Sequence, residues 1–316
     1  MIHELNKERS IVHFDLDTFF VSVERLLNSK LNNIPVLVGG LRDRGVVASC
    51  SYEARNFGIN SGMSMKIARR LCPEAAVVKG DSSKYSKHSH IITEIIKEKM
   101  PVVEKASVDE FYMDMTGMDQ IFGIVKYSNE LRDRIIKETG LPISMGISQN
   151  KTVSKVATGE SKPNGKMKVD SGREKDFLAP LSVRKIPMVG NETYQVLSEL
   201  GIKTIHTLQQ MPEQTMEKVL GKNGQTIWQR GQGIDNTPVK QYYEQESLST
   251  ERTFDKDTID VKKLKTILTA MAEGLAYQLR LGNKLTACIS VKIRYSDMSF
   301  ENKQMRIPYS SCDHAI

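Results

Sequence analysis

Ile11-Val12-His13-Phe14-Asp15-Leu16-Asp17-Thr18-Phe19-Phe20 is the stretch on which the fold turns. Ile11 to Phe14 is a short apolar run, the mark of a buried strand, and it ends in two acids, Asp15 and Asp17. Thr18 then opens an amphipathic helix that reaches about Leu27. Downstream, Val103 to Ser107 and the alternating Glu110 to Asp114 read as a hairpin, with Asp109-Glu110 in its turn. Phe122 to Thr139 reads as a helix and Ile143 to Ser148 as a strand. With residues 34–100 set aside, the order is strand, helix, strand, strand, helix, strand, the ferredoxin-like βαββαβ plan of an α+β domain. That plan lays the first strand beside the third, so Asp15, Asp109 and Glu110 should converge at one sheet edge.

Residues 34–100 then form an insertion, part of it a small subdomain. Ile34 to Gly39, Gly45 to Ser49 and Ala76 to Lys79 read as short strands. Ser51 to Phe57 is a short helix stopped by Gly58, and Ser64 caps another that ends before Pro73. Ser83 to about Met100 is a long helix. Asp170 to about Asn236 reads as short helices with glycine turns. Within it, Ile186-Pro187-Met188-Val189-Gly190, a helix to Leu200 and Gly201-Ile202 resemble a helix-hairpin-helix unit, whose backbone N–H groups suit a phosphate. An ordinary helical hairpin without a ligand reads the same way. Asp235 to Gln245 looks like a linker. Ser247 to Phe254 as a strand, Val261 to Leu281 as a helix, and Leu285 to Tyr295 and Gln304 to Tyr309 as strands give βαββ, an incomplete second α+β unit.

The composition is that of a globular chain. With 39% hydrophobic and 26% charged residues among 316, it is too apolar for a disordered protein and long enough for two or three domains. No apolar run approaches the roughly 20 residues of a membrane helix, and Met1 to Arg9 has no signal-peptide core, so a cytoplasmic, membrane-free protein is expected. Cys50, Cys72, Cys288 and Cys312 form no Cys-x-x-Cys pair and read as free thiols. The net charge of +7 fits a polyanionic partner without requiring one.

Three carboxylates at one edge repel one another unless cations bind them. Oxygen ligands of this kind suit Mg²⁺ or Mn²⁺, and a two-ion site serves phosphoryl transfer. Solvated acids in turns are the plain alternative. Tyr52 and Arg55 lie three apart, on one helix face, where a phenol and a guanidinium suit a triphosphate. Lys162 sits in the rigid turn Lys162-Pro163-Asn164-Gly165 after a helix. Of the consecutive Phe19 and Phe20, only one can face such a site.

Taken in order, Asp15 to Phe20, Ser49 to Arg55, Ala106 to Glu110, Gly146 to Lys151 and Lys162 to Gly165 resemble the Y-family, lesion-bypass DNA polymerases, in the DNA polymerase IV and UmuC-like branch. The resemblance runs from about Ile11 to Tyr309. It implies a right-hand polymerase with a palm (1–27 and 81–169), small fingers (28–80), a helical thumb (170–238) and a little finger (246–316) that reads as incomplete. It implies template-directed, low-fidelity addition of deoxynucleotides to a primer during translesion synthesis, with primer-template DNA and dNTPs as partners. By that resemblance Asp15, Asp109 and Glu110 are catalytic and, with the Leu16 carbonyl, hold two Mg²⁺ ions, for which Mn²⁺ can substitute. Phe19, Phe20, Ser49, Tyr52, Arg55 and Lys162 contact the nucleotide, with Phe20 screening out the ribose 2′-hydroxyl. Gly190 and Arg252 contact DNA. A sliding clamp is implied too, docked by a terminal peptide that relatives carry beyond this point. Met188 departs from the pattern, standing where relatives have glycine. Two rivals remain: a DNA-binding protein with an idle palm-like core, and a nucleotide cyclase built on the same palm plan.

Overall fold

The computed structural model describes residues 8–118, 123–241 and 245–311. They fall into two compact units, Met1–Tyr242 and Tyr243–Ile316.

In the first unit, β1 (Ile11–Leu16) alternates its side chains: Val12, Phe14 and Leu16 enter the main core, and His13 and Asp15 take the opposite face. After α1 (Phe19–Leu27) comes the insertion: β2 (Val36–Gly39), β3 (Val47–Cys50), α2 (Tyr52–Arg55), α3 (Met65–Leu71) and β4 (Ala76–Lys79). Its sheet has the order β3-β2-β4, with β2 and β4 parallel. Leu37, Val47, Ala54, Ile59, Met65 and Ala68 give it a core of its own.

The chain returns through α4 (Ser82–Lys97) to the hairpin of β5 (Val103–Lys105) and β6 (Glu110–Asp114), then α5 (Ile124–Thr139), β7 (Ile143–Ser148), α6 (Lys151–Ser161) and β8 (Lys166–Lys168). Phe122, read as the start of the α5 helix, lies outside the described residues. The sheet order is β5-β6-β1-β7-β8, so the first strand of the βαββαβ plan does lie beside the third. The fifth strand, β8, runs parallel to β7 and had no signal, since Lys166-Met167-Lys168 carries no apolar run. Phe19, Val21, Ile92, Ile96, Leu131 and Ile135 from α1, α4 and α5 bury one sheet face against Phe14, Phe111 and Met113. Each such side chain contributes about 1.5–3 kcal/mol.

The other face is taken by α6. Gly146 of β7 allows its close approach: a Cβ there would meet the Ser154 carbonyl oxygen and Thr158. His13 Nδ1 lies 2.8 Å from Thr158 Oγ1, joining β1 to α6.

Beyond β8, α7 (Glu174–Leu178), α8 (Asn191–Glu199), α9 (Ile205–Gln209), α10 (Glu213–Leu220) and α11 (Lys222–Gly231) close around Leu178, Leu197, Leu208 and Ile227, a core that takes in Val153 and Val156 of α6. The stretch read as a linker, Asp235 to Gln245, spans the boundary between the two units, and its residues 235–241 are fastened along the sheet of the first. Thr152 donates to the Asp235 carboxylate from its N–H (3.1 Å) and its hydroxyl (2.8 Å). The Lys240 N–H donates to Glu104 at 2.9 Å, and Val239 is buried with Ile11 and Tyr112.

The second unit has α12 (Val261–Leu281) and an antiparallel pair, β9 (Thr286–Arg294) and β10 (Phe300–Ser310). The strand expected over Ser247 to Phe254 does not form, and its residues are irregular. A strand persists only where a neighbour takes its backbone groups, and among the described residues this sheet has two strands.

Candidate active site

The two central strands bring the acids together. Asp15 of β1 and Glu110 of β6 are direct partners in the ladder, and the Leu16 N–H donates to the Asp109 carbonyl at 3.0 Å. Ser107 shapes the turn that delivers Asp109. Its hydroxyl donates to Asp109 Oδ1 at 2.5 Å and accepts from the N–H groups of Asp109 (3.2 Å) and Glu110 (3.1 Å).

Two lysines answer the acids from α6 and its end. Lys162 Nζ donates to Asp15 Oδ1. Lys155 Nζ donates to both Glu110 oxygens, at 2.5 and 2.6 Å. Burial pushes the Asp15 carboxyl up to about 7; Lys162 opposes the shift, and the Glu110 and Asp109 charges add to it. Among the described residues no three His, Cys, Asp or Glu side chains stand as a ready metal cage. The donor set nevertheless fits a hard divalent ion: three carboxylates, with Asp15 held high by burial and by its like-charged neighbours.

Phe20, Ser49, Tyr52 and Arg55, expected to face a nucleotide, come from three elements. Ser51 caps α2, its hydroxyl accepting from the Ala54 N–H at 3.3 Å, and α2 carries Tyr52 and Arg55. The Arg55 guanidinium lies 4.9 Å from the Tyr52 ring centroid, so the two do share a face. Glu53 is bound by Arg25 of α1 at 2.9 and 3.0 Å, which fixes the insertion to the main sheet unit. Ser49 is buried in β3. Burial and the Asp17 carboxylate hold the Tyr52 phenol protonated, well above its ordinary range.

Phe19 corrects one expectation. Read with Phe20 as a nucleotide contact, it is only 2% exposed and belongs to the main core. Phe20 is half-buried and stacks on Tyr85, centroids 4.2 Å apart. Consecutive helical residues diverge by about 100°, so one ring goes to the core and the other to its rim. Gly190 caps α8, with open space where a side chain would stand. Arg252 is exposed in the second unit.

In the sequence Asp17 and Ser107 read only as a strand-end acid and a hairpin residue, with no partners, and Lys155 and Tyr85 are not singled out. Lys155 had a usable signal: it precedes Lys162 by seven residues, two helical turns, and so shares its face. Asp17 and Ser107 had none beyond their nearness to the acids.

Comparison with known proteins fits this geometry. Residues 14–159 match the impB/mucB/samB family, and residues 245–316 match that family's C-terminal domain. Residues 184–235 match the thumb domain of DNA polymerase-iota. The chain is 38% identical over 301 residues to the DNA polymerase IV of Dehalococcoides mccartyi, covering 95% of this chain and 77% of the relative. It is 37% identical over 294 residues to that of Treponema denticola (92% and 74%), and 35% over 312 residues to that of Streptococcus gordonii (96% and 88%). A solved Y-family DNA polymerase chimera of Dbh and Dpo4 superposes with a TM-score of 0.83 at 24% identity, covering 97% of this chain and 90% of that one.

This chain belongs to the Y family of DNA polymerases. It is a DNA-directed DNA polymerase of the low-fidelity, translesion kind, with the α+β fold of that family, a DNA substrate and a dependence on divalent metal. No described helix of the polymerase is long and apolar enough to cross a membrane.

Proposed function

We propose that the chain extends a primer by two-ion phosphoryl transfer at Asp15, Asp109 and Glu110, with the Leu16 carbonyl completing the ion-binding set. The single observation that carries this reading is the direct pairing of Asp15 with Glu110, beside a turn that presents Asp109. Mg²⁺ is the ion the oxygen donors favour, with Mn²⁺ as a substitute. When bound, such ions lower the pKa of the primer 3′-hydroxyl and offset charge on the leaving pyrophosphate.

The protein's own groups do the rest. Asp15 and Glu110 hold their carboxylates at the end of the two central strands. Tyr52, Arg55 and Lys162 supply a phenol, a guanidinium and an ammonium to the triphosphate of the incoming dNTP, with buried Ser49 nearby. Phe20 lies flat against its sugar. The main sheet unit (1–27 and 81–169) is the palm, the inserted subdomain (28–80) the fingers, the helical part (170–238) the thumb and residues 246–316 the little finger. Gly190 and Arg252 approach the DNA backbone. A small fingers subdomain grips the nascent pair loosely, which suits damaged templates. The polymerase works in the cytoplasm, and a sliding clamp remains its natural partner.

Primer extension across a panel of damaged templates, with an undamaged control, tests the reading. Extension past at least one lesion supports it. DNA binding without nucleotide addition on any template would return the chain to the binding class, and turnover of nucleotide without a primer would favour a cyclase.

A further inference from the structure

Asp17 stands between the fingers and the palm with no role yet. It is 1% exposed, and both its oxygens are used. Oδ1 accepts from the Tyr52 hydroxyl at 3.3 Å. The Ser144 hydroxyl of β7 donates to both oxygens, at 2.9 and 3.0 Å. Oδ2 accepts the Asn164 backbone N–H at 2.6 Å. Asn164 belongs to the turn that carries Lys162, and Arg132 grips the same turn, donating to the Asn164 carbonyl at 2.9 Å and to its side-chain oxygen.

One buried carboxylate therefore ties the phenol of the inserted subdomain to the turn that carries the ammonium. These two groups come from segments more than a hundred residues apart. A buried acid is tolerated when its oxygens are hydrogen-bonded, and here every donor sits on an element that bears, or adjoins, a triphosphate contact. We propose that Asp17 is a positioning residue for the incoming nucleotide: it sets the spacing between Tyr52 and Lys162 and so pre-forms the triphosphate pocket. This rests on the assignment of Tyr52 and Lys162 to the triphosphate.

Ground-state positioning of phosphate contacts acts on nucleotide affinity more than on turnover. Asp17→Asn keeps the shape but turns an acceptor into a donor facing the Asn164 N–H or the Ser144 hydroxyl. Single-nucleotide insertion by this variant should show KM for dNTP raised about tenfold, kcat within about threefold, and an unchanged Kd for primer-template. In a Tyr52→Phe background the same substitution should raise KM by a smaller factor, because one of the two links is already gone. Full additivity, or a loss confined to kcat, would overturn the proposal. Should Asp17→Asn fail to fold, Ser144→Ala carries the test: it keeps the carboxylate, removes one donor, and should raise KM a few-fold with kcat unchanged, while wild-type values would overturn the proposal. Tyr52→Phe and Lys162→Ala separate the two levels. If neither raises KM, the triphosphate assignment fails and takes this proposal with it. If both do and Asp17→Asn does not, the assignment stands and the positioning role falls.

Discussion

Asp15 and Glu110 are cross-strand partners, one from the strand nearest the N-terminus and one from a strand about a hundred residues later. Like charges placed opposite one another weaken a sheet. Here they meet at the end of its two central strands, where the chain gives up stability to gather oxygen donors.

On the proposed assignment, Asp109 should be dispensable for DNA affinity and indispensable for chemistry. Asp109→Ala should lower kcat about a thousandfold or more, since charge stabilisation by bound metal is worth several kcal/mol. Primer-template affinity should stay within a few-fold, because phosphate contacts elsewhere dominate it. Rapid-quench extension and fluorescence-anisotropy binding, run on the same preparation, check both halves. Substantial extension by the variant would remove Asp109 from the site.

Asp15 should destabilise the metal-free fold at alkaline pH. Its carboxyl is raised from 3.8 to about 7, so the folded chain keeps a proton that the unfolded chain releases between those values. The stability this represents is complete below about pH 4 and is lost as pH rises towards 7. Asp15→Asn removes the buried charge. In chelator it should stabilise the protein by about 1–3 kcal/mol at pH 8 and by much less at pH 5. Urea unfolding at the two pH values measures the difference. Equal gains at both would mean that burial of Asp15 is not the cause.

The adjacent phenylalanines should part company. Phe19→Ala opens a hole in the main core and should cost about 3–5 kcal/mol of stability. Phe20→Ala removes a half-buried ring stacked on Tyr85 and should cost much less. Its effect should be on sugar choice, with ribonucleotide insertion rising by orders of magnitude relative to deoxynucleotide insertion, because the space and the unpaired polar group that penalise a 2′-hydroxyl are relieved. Matched ribo- and deoxynucleotide extension decides it. Unchanged selectivity would make Phe20 a packing residue.

Met188 holds a left-handed backbone, φ 82°, in the turn before α8, and the residue is 49% exposed. A residue with a Cβ is strained there by about 1–2 kcal/mol. Met188→Gly should therefore raise stability by about 0.5–1 kcal/mol, after the entropy that glycine adds to the unfolded chain. DNA affinity at fixed salt should hold or improve. Thermal melts and a salt titration of binding read the two effects, and a lower melting temperature would contradict this account.

The acids were legible because their signal is local: an apolar run tipped with Asp15, and a hairpin turn holding Asp109-Glu110. So was the βαββαβ order, since each element carries its own periodicity. Two misreadings share a cause in long-range pairing. β8 is three residues of Lys-Met-Lys made a strand only by β7. Ser247 to Phe254 has the right composition but no ladder. The linker from Asp235 to Gln245 does span the boundary between the units, though its hold on Glu104 and Thr152 was not legible. The contacts of Asp17 were illegible for a related reason, since its partners Tyr52, Ser144 and Asn164 are gathered only by folding.

With Asp15 assigned to the ion and Lys162 to the triphosphate, as proposed, the lysine partners of Asp15 and Glu110 would impose a thermodynamic linkage. The ammonium of Lys162 cannot neutralise Asp15 and a phosphate at the same moment. A divalent ion held by Asp15 would free Lys162 for the triphosphate, and a triphosphate that drew Lys162 away would leave Asp15 open to the ion. Each ligand would then raise the other's affinity by the same factor, whichever arrived first. In the absence of both, the chain is its own counter-ion, with Lys162 on Asp15 and Lys155 on Glu110.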